Sequence, residues 1–307
     1  MRNAFADEMT KLAQQDKRVV LLSGDIGNKL FDKFKEIDER RFYNCGVAEA
    51  NMMGVASGMA LSGLRPVVYT ITPFTTTRCF EQIRVDACYH KAPVIIVGTG
   101  SGLSYAELGP THHSLEDMAI LRTLPGMRVM APCDTAELRF ALRAALNEDG
   151  PVYIRIGKKG EPAIHKQLAE LQIGKAIVVR EGADIALLGA GTIMSEVLKA
   201  ADILEAQGVS TEVVSFHTVK PLDVAYLAAA SKRVKLFATV EEHGLIGGLG
   251  SAVAEWRAAA DAKNPLLSFG TPDEFMHEVG TQEYARAKYG LTPENIASRA
   301  LAAIRKA

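Results

Sequence analysis

Along the whole chain, short β-branched runs alternate with longer stretches of helical apolar spacing, the signature of βα units built around mostly parallel sheets. In the first half the predicted strands are Arg18–Ser23, Pro66–Ile71, Pro93–Gly98, Met127–Ala131 and Val152–Ile156. Between them Glu49–Leu61, Phe74–Tyr89 and Thr135–Leu146 carry the i, i+3, i+4 spacing of helices. The pattern lapses between Gly157 and Gly174 and then restarts, with strands expected at Ala176–Val179, Ile185–Leu188, Thr211–Ser215 and Lys235–Val240 and helices over Ile193–Gln207, Gly250–Asp261 and Pro293–Ile304. The expectation is an α/β chain of two doubly wound domains, residues 1–160 and 175–307, joined by a linker at 161–174.

Composition narrows the function. The 307 residues include 35 Lys plus Arg against 36 Asp plus Glu, interspersed, for a formal charge of −1, which leaves no basic footprint for nucleic acid and no polybasic membrane patch. The acidic N-terminal stretch is not a signal peptide and no apolar run nears the ~18 residues that span a bilayer, so a cytoplasmic protein acting on small molecules and protein partners is expected. The four cysteines, Cys45, Cys79, Cys88 and Cys133, show no C-x-x-C pairing and read as buried thiols.

Three glycine clusters, at Gly98–Gly102, Gly189–Gly191 and Gly247–Gly250, lack the third glycine of a dinucleotide fingerprint, since Leu103, Met194 and Val253 stand there. Tight strand-to-helix turns are their plain reading. His112 and His113 are adjacent, so their side chains diverge, which is poor geometry for chelating one metal, and no metal site is expected. Their position after a Gly-rich strand exit, where α/β folds place ligands, makes them functional candidates beside the alternative of loop packing.

In order and spacing, Gly46-Val-Ala-Glu49-Ala-Asn51, the Phe74–Phe80 segment, Gly109-Pro-Thr-His112-His113, Gly150-Pro-Val-Tyr-Ile-Arg155-Ile-Gly-Lys158, Val240-Glu-Glu-His243 through Gly250, and Gly280-Thr-Gln-Glu-Tyr form one series. The chain thereby resembles the pyrimidine-binding and C-terminal domains of the transketolase family over its whole length. The resemblance implies thiamine diphosphate as cofactor, a compound whose reactive carbon becomes nucleophilic only after losing a proton. Glu49 matches the glutamate that hydrogen-bonds the aminopyrimidine ring, and an apolar setting is expected for it from Met52, Met53 and Phe80. Phe74 and Phe80 match aromatic positions against that ring, Thr77 replaces a third, and Asp25 and Ile26 match positions bordering it. His112 matches a histidine that handles protons around the substrate carbonyl and hydroxyls, a task suited to an imidazole. His113 and Asn28 are further substrate-binding candidates, and Lys158 falls where sugar-phosphate members carry an arginine for the phosphate. Leu108 stands where an aspartate commonly contacts a sugar hydroxyl, so an unusual sugar is compatible.

The family grips the cofactor diphosphate through a divalent ion, Mg2+ or Ca2+, held by a Gly-Asp-Gly segment, and no Gly-Asp-Gly occurs here. The resemblance therefore implies a subunit of a split transketolase, transferring a two-carbon ketol unit from a ketose to an aldose, with a partner subunit supplying the diphosphate and metal site in an α2β2 assembly. Alternatives are a 2-oxoacid dehydrogenase β-subunit, a deoxyxylulose-phosphate-synthase-like subunit, or a non-catalytic stabilising subunit of a thiamine enzyme.

Overall fold

The computed structural model describes residues 1–27 and 29–306. Six strands of the first half, β1 (Val19–Ser23), β2 (Phe42–Asn44), β3 (Arg65–Ile71), β4 (Ile95–Thr99), β5 (Arg128–Met130) and β6 (Val152–Ile156), form one parallel sheet in the order 5-6-4-3-1-2. The second sheet has the order 12-11-8-9-7, built from β7 (Ile177–Arg180), β8 (Ile185–Ala190), β9 (Thr211–Ser215), β11 (Leu236–Gly244) and β12 (Leu266–Thr271). It is parallel except for β7, which runs antiparallel to β9. The short β10 (Thr218–Lys220) belongs by sequence to the second half, yet it pairs antiparallel with β5 and extends the first sheet.

Central strands such as β1, β4 and β6 are buried at every position. This is the condition of a parallel sheet covered on both faces. Along β1, Val19 and Leu21 enter one core and Val20 and Leu22 the other, as a period of two requires.

On one face, helix α1 (Arg2–Gln15) buries Phe5, Met9, Leu12 and Ala13, and Phe5 stacks on Tyr69 at 4.9 Å between centroids, a pairing worth roughly 0.5–1.5 kcal/mol beyond area burial. That helix was not expected from the sequence. On the other face, α2 (Glu49–Leu61) packs Met52, Met53 and Ala56. α3 (Thr135–Leu146) returns to the first face, its start set by Asp134, whose carboxylate accepts from the N–H groups of Ala136 and Glu137 at 2.9 Å.

In the second domain α4 (Met194–Glu205) and α6 (Pro293–Ile304) cover one face of the sheet. α5 (Leu249–Ala259) contributes to an apolar cluster running from Met52 and Leu121 through Leu188, Phe216 and Phe237, so the two domains share a core.

One expected element is corrected. Phe74–Tyr89 is not a single helix but an α-turn at Thr72–Thr75, a 3-10 turn at Thr77–Cys79, an α-turn at Phe80–Gln82 and a π-helix at Ile83–Tyr89. Thr75, Thr76 and Thr77 return their hydroxyls to carbonyls three or four residues back, which competes with regular winding. Among the described residues, no helix is long and apolar enough to cross a membrane.

Candidate functional site

The strands of the first sheet from β1 to β6 are parallel, so their carboxyl ends share one rim, the place where open α/β sheets bind ligands. Asp25 and Ile26 follow β1. Asp25 donates its N–H to the Gly46 carbonyl at 3.1 Å and accepts from Asn44 Nδ2 at 3.1 Å. Asn44 Oδ1 in turn accepts from Gly46 N–H at 2.9 Å, folding the chain from β2 into α2 with Gly46 at φ 63°. This turn delivers Glu49 as the first residue of α2, where the helix dipole favours an acid.

Glu49 is only 3% exposed, but its surroundings are not purely apolar as expected: Arg78 Nη1 lies 2.8 Å from Glu49 Oε2. Met52 and Met53 are fully buried on the core side of α2, and Phe80 is half-buried against that core. The Arg78 guanidinium lies over the Phe74 ring, 4.2 Å from its centroid. Phe74 meets His112 edge-to-face at 5.4 Å, and His112 meets Tyr105 at 6.0 Å. Lys158, after β6, places its ammonium 4.8 Å from the Tyr105 centroid. Glu107 forms an ion pair with it. That hydrogen bond holds the Glu107 carboxyl below its usual pKa.

A continuous row thus runs Glu49, Arg78, Phe74, His112, Tyr105, Lys158, Glu107. Two glycines make its far end possible. A Cβ on Gly100, at φ 72°, would sit 1.9 Å from the Tyr105 ring, and one on Gly102 would sit 2.6 Å from Glu242 Oε2. The space kept at Gly102 lets Glu242 of the second domain accept from Leu103 N–H at 3.0 Å while pairing with Arg286 and Gln282. The second domain therefore braces the loop that presents Tyr105 and His112.

Beneath that loop, Asp117 pairs with Arg155 at 3.0 Å and accepts from the Tyr153 hydroxyl at 2.5 Å, all three side chains buried. Arg155 also donates to the carbonyls of Ser114 and Glu242.

The structure brings Glu49, Phe74, His112 and Lys158 into one row, with Asp25 and Ile26 on the adjoining rim. His113 is turned away: it is buried, its Nε2 has no hydrogen-bond partner among the described residues, and it lines a separate groove of about 480 Å³ with Leu115, Leu245 and Phe275. Asn28 lies outside the described residues. Sequence reasoning missed Arg78, Tyr105 and Glu107. Arg78 could have been found as the cation one turn beyond Phe74, whereas Tyr105 and Glu107 sit in an irregular loop with no periodic signal.

The donor set suits half of a cofactor. A buried carboxyl beside a half-buried aromatic face fits an aminopyrimidine ring, while the sequence has no Gly-Asp-Gly to hold a metal-bound diphosphate. The fold is that of a two-domain α/β protein, with a candidate ligand site at the sheet rim.

Comparison with known proteins makes the class specific. The pyrimidine binding domain of transketolase matches residues 1–161 and the transketolase C-terminal domain matches residues 174–296. The chain is 37% identical over 297 residues to the 6-deoxy-6-sulfo-D-fructose transketolase subunit SqwH of Clostridium sp. (strain MSTE9), covering 96% of this chain and 92% of that protein. It is 34% identical to an apulose-4-phosphate transketolase subunit of Phocaeicola vulgatus, covering 99% and 97%. A solved split-gene transketolase, described as an inactive beta4 tetramer, superposes with a TM-score of 0.89 at 34% identity, covering 100% of this chain and 97% of that one. The chain belongs to the transketolase family, as the pyrimidine-binding and C-terminal subunit of a split transketolase.

Proposed function

We propose that the chain supplies the pyrimidine-side and sugar-side half of a shared ketol-transfer site, completed by a partner subunit that holds the diphosphate through Mg2+ or Ca2+. The observation that carries this reading is the row at the sheet rim, where a buried carboxylate, an aromatic face, an imidazole and a lysine follow one another in contact. Bound thiamine diphosphate supplies the nucleophilic carbon that receives the two-carbon unit.

Glu49 hydrogen-bonds the aminopyrimidine nitrogen, exchanging its Arg78 contact for the ring, and Phe74 packs against that ring with Phe80 behind it. Asp25 and Ile26 border the ring from the β1 turn. His112 moves protons at the substrate carbonyl and hydroxyl oxygens, its Nδ1 paired with the Thr111 hydroxyl at 2.9 Å. Lys158 receives an anionic substrate end by releasing Glu107, an exchange that costs little because exposed ion pairs contribute about 0–1 kcal/mol. The relatives named for a sulfonated and a phosphorylated sugar support an anionic substrate. His113, buried in its own groove, acts on the loop that carries His112 instead of on the sugar.

The assembly we favour is α2β2 in the cytoplasm. Among the described residues, a Cβ added at Gly58 on α2 would meet nothing within 4 Å and one at Gly54 only Asp86, so with Val55 and Leu61 exposed beside them this helix face is open to a second subunit.

The test is reconstitution. The chain mixed with its partner is expected to transfer ketol units in a thiamine-diphosphate-dependent manner, and Glu49→Gln is expected to abolish turnover with the fold intact. Full activity of this chain alone would refute the shared site, and near-normal turnover of Glu49→Gln would refute its assignment. Pyruvate decarboxylation without ketol transfer would favour the deoxyxylulose-phosphate-synthase-like reading.

A further inference from the structure

Where the two domains join, a buried cluster lies outside the ketol-transfer row. The Asp134 carboxylate that caps α3 also accepts from the N–H groups of Ile164 and His165, each at 2.9 Å, and so draws the connecting segment onto the head of that helix. As a result His165 Nε2 lies 3.7 Å from Cys133 Sγ and 2.8 Å from Glu137 Oε1. One ligand atom from each of these three residues falls within 4.8 Å of the others. Cys133 and Glu137 are buried, and the His165 side chain is 7% exposed.

The second domain meets the same strand end through His217. His217 accepts from Ala131 N–H through its backbone carbonyl at 2.8 Å, which ties it to the strand leading into Cys133. Its ring is fully buried. Nδ1 pairs with the Thr218 hydroxyl at 2.9 Å, while Nε2 has no hydrogen-bond partner among the described residues.

A nucleophilic thiol is the first alternative, and the geometry opposes it. An imidazole relaying between thiol and carboxylate must face them with different nitrogens, whereas here Nε2 faces both. Sulfur, nitrogen and oxygen directed at one point suit a cation.

We propose that Cys133, Glu137 and His165 bind a zinc ion, with the fourth position left to water, pinning the connecting segment to the head of α3. Tetrahedral zinc, with bonds of about 2.3 Å to sulfur and about 2.0 Å to nitrogen or oxygen, sets ligand separations of about 3.5 Å (S to N) and about 3.3 Å (N to O). The first is nearly met. The second requires the Glu137–His165 hydrogen bond to open by about 0.5 Å as the metal replaces its proton. Binding is redox-neutral: Cys133 releases its thiol proton and His165 any proton on Nε2, both to solvent. A thiolate with an imidazole and a carboxylate selects zinc over Mg2+ or Ca2+, which separates this site from the family's diphosphate-bound ion.

The test uses the full chain, with and without its partner, dialysed against metal-free buffer and assayed for zinc by elemental mass spectrometry. Co2+ added to the metal-free protein is the spectroscopic probe. The expected result is one zinc per chain and a cobalt spectrum with a near-ultraviolet thiolate band and strong tetrahedral visible bands. Cys133→Ser and His165→Ala are expected to lose both, with circular dichroism unchanged. Should Cys133→Ser fail to fold, the band's presence or absence in the wild-type protein still decides. Substoichiometric zinc with no cobalt–thiolate band, or full zinc retention in both Cys133→Ser and His165→Ala, would overturn the proposal.

Discussion

Replacing Arg155 with Met tests whether a buried charge network holds the substrate loop. Arg155 and Asp117 are 3% and 1% exposed and lie 3.0 Å apart, and the same Asp117 oxygen also accepts from the Tyr153 hydroxyl. Removing the guanidinium leaves an unpaired buried carboxylate, which costs about 3–5 kcal/mol, whereas removing both charges together is often near neutral. At roughly 2–4 °C per kcal/mol for a chain of this order of size, Arg155→Met should lower the melting temperature by about 6–20 °C. The double variant Asp117→Asn with Arg155→Met retains an acceptor for Tyr153 and should recover much of that loss. Because Arg155 also holds the Ser114 carbonyl, two residues from His112, the single variant should loosen the His112–Phe74 contact and raise KM in the reconstituted enzyme. The assay is thermal and urea unfolding of wild type, both single variants and the double. A loss below about 1 kcal/mol for Arg155→Met, or a double variant no more stable than the single, would refute the reasoning.

Three further outcomes follow from the site. Glu107→Gln frees Lys158 and should lower KM for an anionic sugar several-fold while leaving kcat and the melting temperature within error, as read by steady-state kinetics. Gly100→Ala forces a Cβ into the Tyr105 ring at a positive φ, and should destabilise by more than about 1 kcal/mol and impair turnover, measured by urea unfolding and ketol transfer. Burial holds the His113 imidazole below its ordinary pKa, although a hydrogen bond to the Ala106 backbone pulls the other way, so the unfolded chain takes up the proton first. Stability is then flat above about pH 6.5 and falls as the pH drops from there through the depressed native value. His113→Asn should reduce that slope in urea titrations at pH 7.5 and 5.5, and an unchanged slope would refute the assignment.

Much of the fold was legible because its strands are short, buried runs. The expected Val152–Ile156 and Thr211–Ser215 coincide with β6 and β9, and Glu49–Leu61, Thr135–Leu146 and Pro293–Ile304 coincide with α2, α3 and α6. Elements whose signal is weak escaped. α1 carries its apolar residues among many polar ones, and β2 and β10 have three residues each. The threonine-rich stretch after β3 has helical spacing but unravels into four short turns, since hydroxyls compete for the carbonyls that a regular helix would use.

The amino-acid sequence alone determined the two α/β units and the family, and singled out the candidate residues for cofactor and sugar, because periodicity and local motifs are properties of neighbouring residues. Tertiary structure decided which charges meet. Arg78 reaches Glu49 across 29 positions, Lys158 reaches Glu107 across 51, and Cys133 reaches His165 across 32. These contacts arise only when parallel strands bring their carboxyl ends to one rim and the connecting segment folds back on α3, a long-range juxtaposition that no local spacing encodes.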